Sequence, residues 1–131
     1  MATVPLLGDE EAGPEALAIF NDIRTKRQTD YVNNFWRALA HDPATLKATW
    51  ERAQAVMAPG ALDPLVKELI YIAVSTANGC DYCVHSHTAA AKAKGMTPAQ
   101  HGELLAVIAM ASQTNALATA LSVPVDHRFK A

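Results

Sequence analysis

Cysteine is nearly absent from this 131-residue chain: there are two, at positions 80 and 83. In a reducing cytoplasm a pair three residues apart is not a permanent structural staple, so its expected roles are reactive or metal-binding. Aromatic residues are equally scarce at 6%, although apolar residues make up 50% and alanine fills 26 positions. A sheet core is filled with bulky β-branched side chains, whereas this mixture favours helices that approach each other closely, and it predicts an all-α protein. No apolar stretch approaches the roughly 18 uninterrupted residues of a membrane span, and "MATVPLLGDEEAGPEA" has no basic region preceding an apolar run. The expectation is a soluble, cytoplasmic protein with no membrane partner.

A broad basic face is missing too. The formal net charge of -2 comes from 11 basic and 13 acidic residues, and the one basic cluster is Arg24-Thr25-Lys26-Arg27. Nucleic-acid binding needs a wider positive footprint, so this run is expected to be a solvated helix end. There is no long linker, low-complexity tract or strong internal repeat, and the length suits one domain over residues 1–131.

What is present is regular punctuation. Gly13-Pro14, Asp42-Pro43, Asp63-Pro64 and Thr97-Pro98 each precede a stretch with helical spacing. Aspartate or threonine accepts an orphan N–H at a helix start, and proline at the next position has none to lose. Thr97 with Gln100 also makes a capping box. The predicted helices cover about 14–27, 33–40, 43–58, 64–77, 81–94 and 98–121, a single-domain bundle of about six helices. Leu17, Phe20 and Ile23 are expected inward on the first, Phe35, Trp36 and Leu39 on the second, and Leu46, Trp50, Ala53 and Met57 on the third. The fourth, "LVKELIYIAVSTA", is apolar nearly all round and expected to be buried on more than one side. Asn78-Gly79 tolerates positive φ and closes it.

Both cysteines fall in "NGCDYCVHSH", at the start of the predicted fifth helix. At 100° per residue Cys80 and Cys83 lie about 60° apart and Cys83 and His87 about 40° apart, on one face. His85 lies about 200° from Cys83, which makes it a surface or subunit-contact residue. Folding back at Gly79 sets Glu68 about 16 Å and His87 about 12 Å above the turn, a difference that a glutamate side chain covers. Glu68 is also the one acid in an apolar run, where an unpaired carboxylate is costly to bury. A carboxylate partner for His87 competes here with a solvated Lys67-Glu68 edge.

This arrangement permits thiol redox catalysis. A cysteine at a helix N-terminus gains thiolate character from unpaired N–H groups and the helix dipole. His87, one turn beyond Cys83, can remove a thiol proton while Glu68 orients the imidazole. The expected cycle has the Cys83 thiolate attack a hydroperoxide, Cys80 condense with the sulfenic acid, and an external dithiol reduce the resulting disulfide at Cys80.

The spacing Glu68, Cys80, Cys83, His87 resembles the core motif of the AhpD-like alkylhydroperoxidases within the carboxymuconolactone decarboxylase superfamily, over roughly residues 38–121. The resemblance implies an all-helical subunit assembling into trimers or hexamers, and a peroxidase or disulfide reductase using both cysteines with the glutamate and histidine as a proton relay. It implies no bound cofactor, and as partners a small hydroperoxide and a dithiol reductant or a lipoyl- or thioredoxin-like protein. Several members have a histidine between the cysteines; here Asp81-Tyr82 fills that slot, so Tyr82 or a water substitutes in any relay through it. The decarboxylase branch typically lacks the cysteine pair, which argues against lactone decarboxylation.

Oligomerisation has separate support from the small residues crowding "LLAVIAMASQTNALATAL" and from the apolar circumference of the fourth helix. Two other classes compete. A zinc site could use Cys80, Cys83, His87 and Glu68, although three ligands on one helix differ from the two separated pairs of closed structural sites. A noncatalytic, redox-sensing oligomerisation module is the other. His41, His101 and His127 are weaker signals: helix-end polarity, an exposed first turn and a terminal tail.

Overall fold

Capping chemistry sets the helix boundaries in the computed structural model, which describes residues 1–130. The helices are α1 (Pro14–Arg27), α2 (Asn34–Leu39), α3 (Pro43–Met57), α4 (Pro64–Ala77), α5 (Asp81–Ala93) and α6 (Pro98–Ala120), followed by a 3-10 turn at His127–Phe129. No strand occurs among the described residues. The Asp42 carboxylate accepts from the Thr45 amide and the Asp63 carboxylate from the Leu65 amide. Thr97 and Gln100 exchange both bonds of the capping box. Gly13 has no side chain to offer and caps α1 only by its extended backbone. Among the glycines, positive φ falls to Gly79 (69°), which reverses the chain after α4, and to Gly95 (94°), just after α5, while Asn78 stays right-handed.

The chain divides into two compact units, residues 1–58 and 59–131, each with its own hydrophobic core. In the first, α1 and α2 pack on α3. Ala16, Phe20, Ile23, Val32, Trp36, Ala40, Leu46 and Trp50 are buried together, with Leu17, Leu39 and Ala53 partly buried against them. Phe35 departs from expectation and is exposed. The six-residue α2 turns little surface inward, and Trp36 occupies it with Phe35 edge-on at 5.0 Å. The buried Trp50 satisfies its indole N–H by donating to Asp22 at 2.7 Å, and the carboxylate is held below its usual range chiefly by that bond.

The basic run is more organised than a solvated helix end. Arg24 pairs with Asp9 at 2.8 Å and donates to the Asp30 carbonyl, Lys26 pairs with Asp22, and the Arg27 guanidinium lies 5.1 Å over the Trp50 ring. His41 Nε2 bonds the Pro5 carbonyl at 2.7 Å and ties down the N-terminal segment.

In the second unit α4 packs chiefly on α5 and also on α6. Ile72, Ala91 and Met96 form its buried centre, with Leu65, Leu69, Leu104 and Ile108 partly buried against them. Contrary to expectation, α4 buries only one side: Glu68, Ile72 and Ser75 are enclosed, while Val66, Ile70, Tyr71 and Val74 are exposed. Two neighbouring helices cannot cover its whole circumference. No residue of α6 is fully buried, and Leu105, Val107, Met110 and Leu117 are exposed. Among the described residues no helix is long and apolar enough to cross a membrane.

Candidate redox site

The turn at Gly79 is what assembles the site, because it sends α5 back along α4. Cys80 is the N-cap of α5, and its sulfur accepts from the Cys83 amide at 3.3 Å. A backbone N–H donor at a helix N-terminus favours negative charge on a sulfur atom. Cys80 and Cys83 are joined by a disulfide with their Cα atoms 5.3 Å apart. Both are partly buried, so the bond stays reachable by another thiol.

One turn further along α5, His87 Nδ1 lies 2.7 Å from Glu68 Oε2. Since an ionised carboxylate only accepts, Nδ1 carries the hydrogen and Nε2 is the nitrogen able to exchange a proton. Glu68 is 3% exposed, so the solvated-edge alternative does not hold for it. Its second oxygen accepts from Lys94 Nζ at 2.8 Å. Burial disfavours its charged form, yet hydrogen bonds from His87 and Lys94 and their charges outweigh this and hold the carboxyl below its usual range.

Two neighbours of the site were not anticipated. Tyr71, one turn after Glu68 on α4, stacks on the His87 ring with centroids 3.5 Å apart and planes 18° from parallel. Lys94 lies seven residues after His87, where two turns return to nearly the same face. Those spacings were available signals; what they lacked was the register of α4 against α5. His85 is exposed and bonds the Asp81 carbonyl through Nδ1, away from the His87–Glu68 pair. Tyr82 is exposed. His101 is half-buried rather than exposed. Among the described residues no group of three or more His, Cys, Asp or Glu side chains is arranged to hold a metal ion.

Residues 43–126 match the carboxymuconolactone decarboxylase family, a span that contains Glu68, both cysteines and His87. The chain belongs to that family. Within it the chain is AhpD-like. The crystal structure of an alkylhydroperoxidase AhpD core from Rhodospirillum rubrum superposes with a TM-score of 0.96 at 63% identity, covering 100% of this chain and 98% of that one. An alkyl hydroperoxide reductase AhpD of Solibacter usitatus is 39% identical over 71 residues, which are 54% of this chain and 38% of that protein. An uncharacterized protein from Cupriavidus necator is 35% identical over 86 residues, 66% of this chain and 75% of its own length. The all-α class expected from composition is borne out, and the chain has the AhpD core fold.

Proposed function

We propose that the protein is a thiol-dependent hydroperoxide reductase that cycles Cys80 and Cys83 between dithiol and disulfide, with Glu68 and His87 as its proton relay. The observation that carries this is the Cys80–Cys83 disulfide at the α5 N-terminus, one turn before a histidine bonded to a buried carboxylate. The AhpD names of a solved relative and a curated one support a hydroperoxide-reducing role.

In the reduced protein His87 Nε2 takes the Cys83 proton, leaving the electron pair on sulfur. The thiolate attacks the terminal oxygen of ROOH; the S–O bond forms, the O–O bond breaks, and the alkoxide takes the proton from His87 to leave as ROH. The Cys80 sulfur then attacks the Cys83 sulfenic acid. The S–S bond forms, and hydroxide leaves with the Cys80 proton as water. An external dithiol attacks Cys80, which is partly exposed at the α5 N-terminus, and two exchanges restore the thiols. The net reaction converts ROOH and a dithiol into ROH, water and a disulfide, and needs no bound cofactor.

The same reading includes a homo-oligomer, a trimer or hexamer, formed through the uncovered apolar faces. From Leu104 to Val125 no residue is charged, and its exposed Leu105, Val107, Met110 and Leu117 add to Val66, Ile70 and Val74 on α4. Exposed apolar side chains in this number are characteristic of subunit contacts. A monomeric mass in solution would remove that part.

The deciding experiment is peroxide-dependent oxidation of dihydrolipoamide by the wild type and by Cys80→Ser, Cys83→Ser, His87→Gln and Glu68→Gln. Loss of turnover in the cysteine variants with impairment in the other two is expected. Wild-type activity no greater than that of the four variants would sink the proposal.

A further inference from the structure

Glu68 has two partners, and the role of the second is not contained in a two-residue relay. Its side chain is 5% exposed; Oε2 faces His87 Nδ1 at 2.7 Å and Oε1 faces Lys94 Nζ at 2.8 Å. We propose that Lys94 is a positioning residue of the redox site, whose ammonium neutralises the Glu68 carboxylate so that His87 can remain uncharged while Glu68 stays ionised. The inference rests on the hydroperoxide-reductase reading for its consequence in turnover, but its electrostatic content is independent of that reading.

A buried carboxylate needs a countercharge or it takes up a proton. Without Lys94, the partner left to Glu68 among the bonds described is the imidazole, and the pair has two ways to relieve the charge. Either Glu68 becomes protonated, or His87 holds its second proton as an imidazolium. Both disable the relay, because a neutral carboxyl no longer stabilises the imidazolium formed when the thiol ionises, and an imidazolium has no lone pair for a thiol proton. With Lys94 present the carboxylate is compensated before the histidine acts. One proton can then move from the Cys83 sulfur to Nε2 and on to the leaving alkoxide, without a net change in the Glu68–Lys94 pair.

The setting of Lys94 fits a fixed countercharge. It follows the last residue of α5, its backbone N–H bonds the Ala90 and Ala91 carbonyls, and Gly95 at φ 94° turns the chain immediately after it. Its side chain is 38% exposed, so the ammonium keeps part of its hydration while the carboxylate does not. Other charged groups on the packed elements are engaged elsewhere or distant in the bonding pattern. Lys67 on α4 has its ammonium near Gly60, Lys92 on α5 is exposed, and Asp81 and His85 are exposed at the opposite end of α5, where the His85 ring bonds the Asp81 backbone carbonyl. His101 and Glu103 on α6 form no ion pair with Glu68, His87 or Lys94. Tyr71 contacts the ring by stacking.

The test compares reduced wild type with Lys94→Met, Lys94→Arg and the control Lys92→Met. The Glu68 carboxyl carbon and the His87 ring are followed by NMR across pH, because coupled groups must be read as a pair. Lys94→Met should take up the pair's proton at higher pH than wild type, with Lys94→Arg and Lys92→Met superposing on wild type. In the peroxide assay the acid limb of kcat/KM should move in the same direction for Lys94→Met, with a loss of about tenfold at pH 6 that recovers as pH rises. A Lys94→Met pair that titrates as in wild type, or a rate lowered equally at every pH, would overturn the inference. If Lys94→Met does not fold, Lys94→Gln takes its place under the same criteria. If the wild type shows no peroxide turnover, the functional reading falls and the NMR titration alone decides the role of Lys94.

Discussion

Replacing Glu68 with glutamine tests the site through stability and turnover at once. The amide matches the carboxylate in shape but offers one acceptor where two donors converge, His87 Nδ1 at 2.7 Å and Lys94 Nζ at 2.8 Å. Lys94 is 38% exposed and can turn to water, whereas the His87 ring is held beneath Tyr71 and is 23% exposed. The amide oxygen is therefore expected to stay with His87 and the amide nitrogen to displace Lys94. The stability lost is that of one charge-assisted hydrogen bond to a partly hydrated partner, about 1.5 kcal/mol, and not the 3–5 kcal/mol typical of an orphaned buried charge. For a chain of this length that lowers Tm by roughly 5 °C. The sign of the pH dependence follows from the direction in which Glu68 is shifted. Because the folded carboxyl lies below its usual range, its stabilisation is fully present above the unfolded value of about 4.3 and is lost as pH falls through the folded one. Urea unfolding of wild type and variant should differ at pH 7 and converge on acidification. Turnover should fall about tenfold to a hundredfold, the worth of a hydrogen bond to a charged imidazolium. A stability difference that stays constant down to the acid limit of folding would refute the carboxylate argument, and unchanged kcat/KM would remove Glu68 from the relay.

Further expectations follow from the same structure. Cys83→Ser and Cys80→Ser should each abolish dithiol-dependent peroxide turnover, and Cys83→Ser alone should prevent sulfenic acid trapping; full turnover in Cys83→Ser with loss in Cys80→Ser would reverse the two roles. Tyr71→Leu removes the ring stacked on His87 and should lower kcat more than it lowers Tm; an equal Tm loss with normal kcat would make Tyr71 structural only. Asp22→Ala leaves the Trp50 indole N–H to a water and should cost about 1 kcal/mol in urea unfolding, with the peroxide assay unaffected. A charge placed on the uncovered face of α6, Val107→Lys, should reduce the mass observed by light scattering; an unchanged mass would move the subunit contact elsewhere.

Much of the architecture was legible in local chemistry. Asp42, Asp63 and Thr97 cap helices because an Asp or Thr before proline satisfies orphan N–H groups within three residues, and no distant contact is needed. The common face of Cys80, Cys83 and His87 follows from helical periodicity alone. The pairing of Glu68 with His87 was accessible because Gly79 marks the reversal and a side chain spans the remaining height. Residues whose partners lie across a helix interface were less legible. Phe35 and Trp36 are adjacent and similarly apolar, and only the packing of α2 on α3 decides which of them is buried. Arg24 and Arg27 read as solvated until Asp9 and the indole of Trp50 are placed beside them.

The sequence by itself therefore determined the helical class, the helix starts and stops, and the spacing of Cys83 and His87 one turn apart on α5, because each depends on residues within about one turn. Tertiary structure alone decided that Glu68 serves two donors rather than one, that Tyr71 covers the histidine ring, and that α4 keeps an apolar side uncovered. These depend on the rotation and register of α4 against α5, which summed side-chain packing sets and no local spacing encodes.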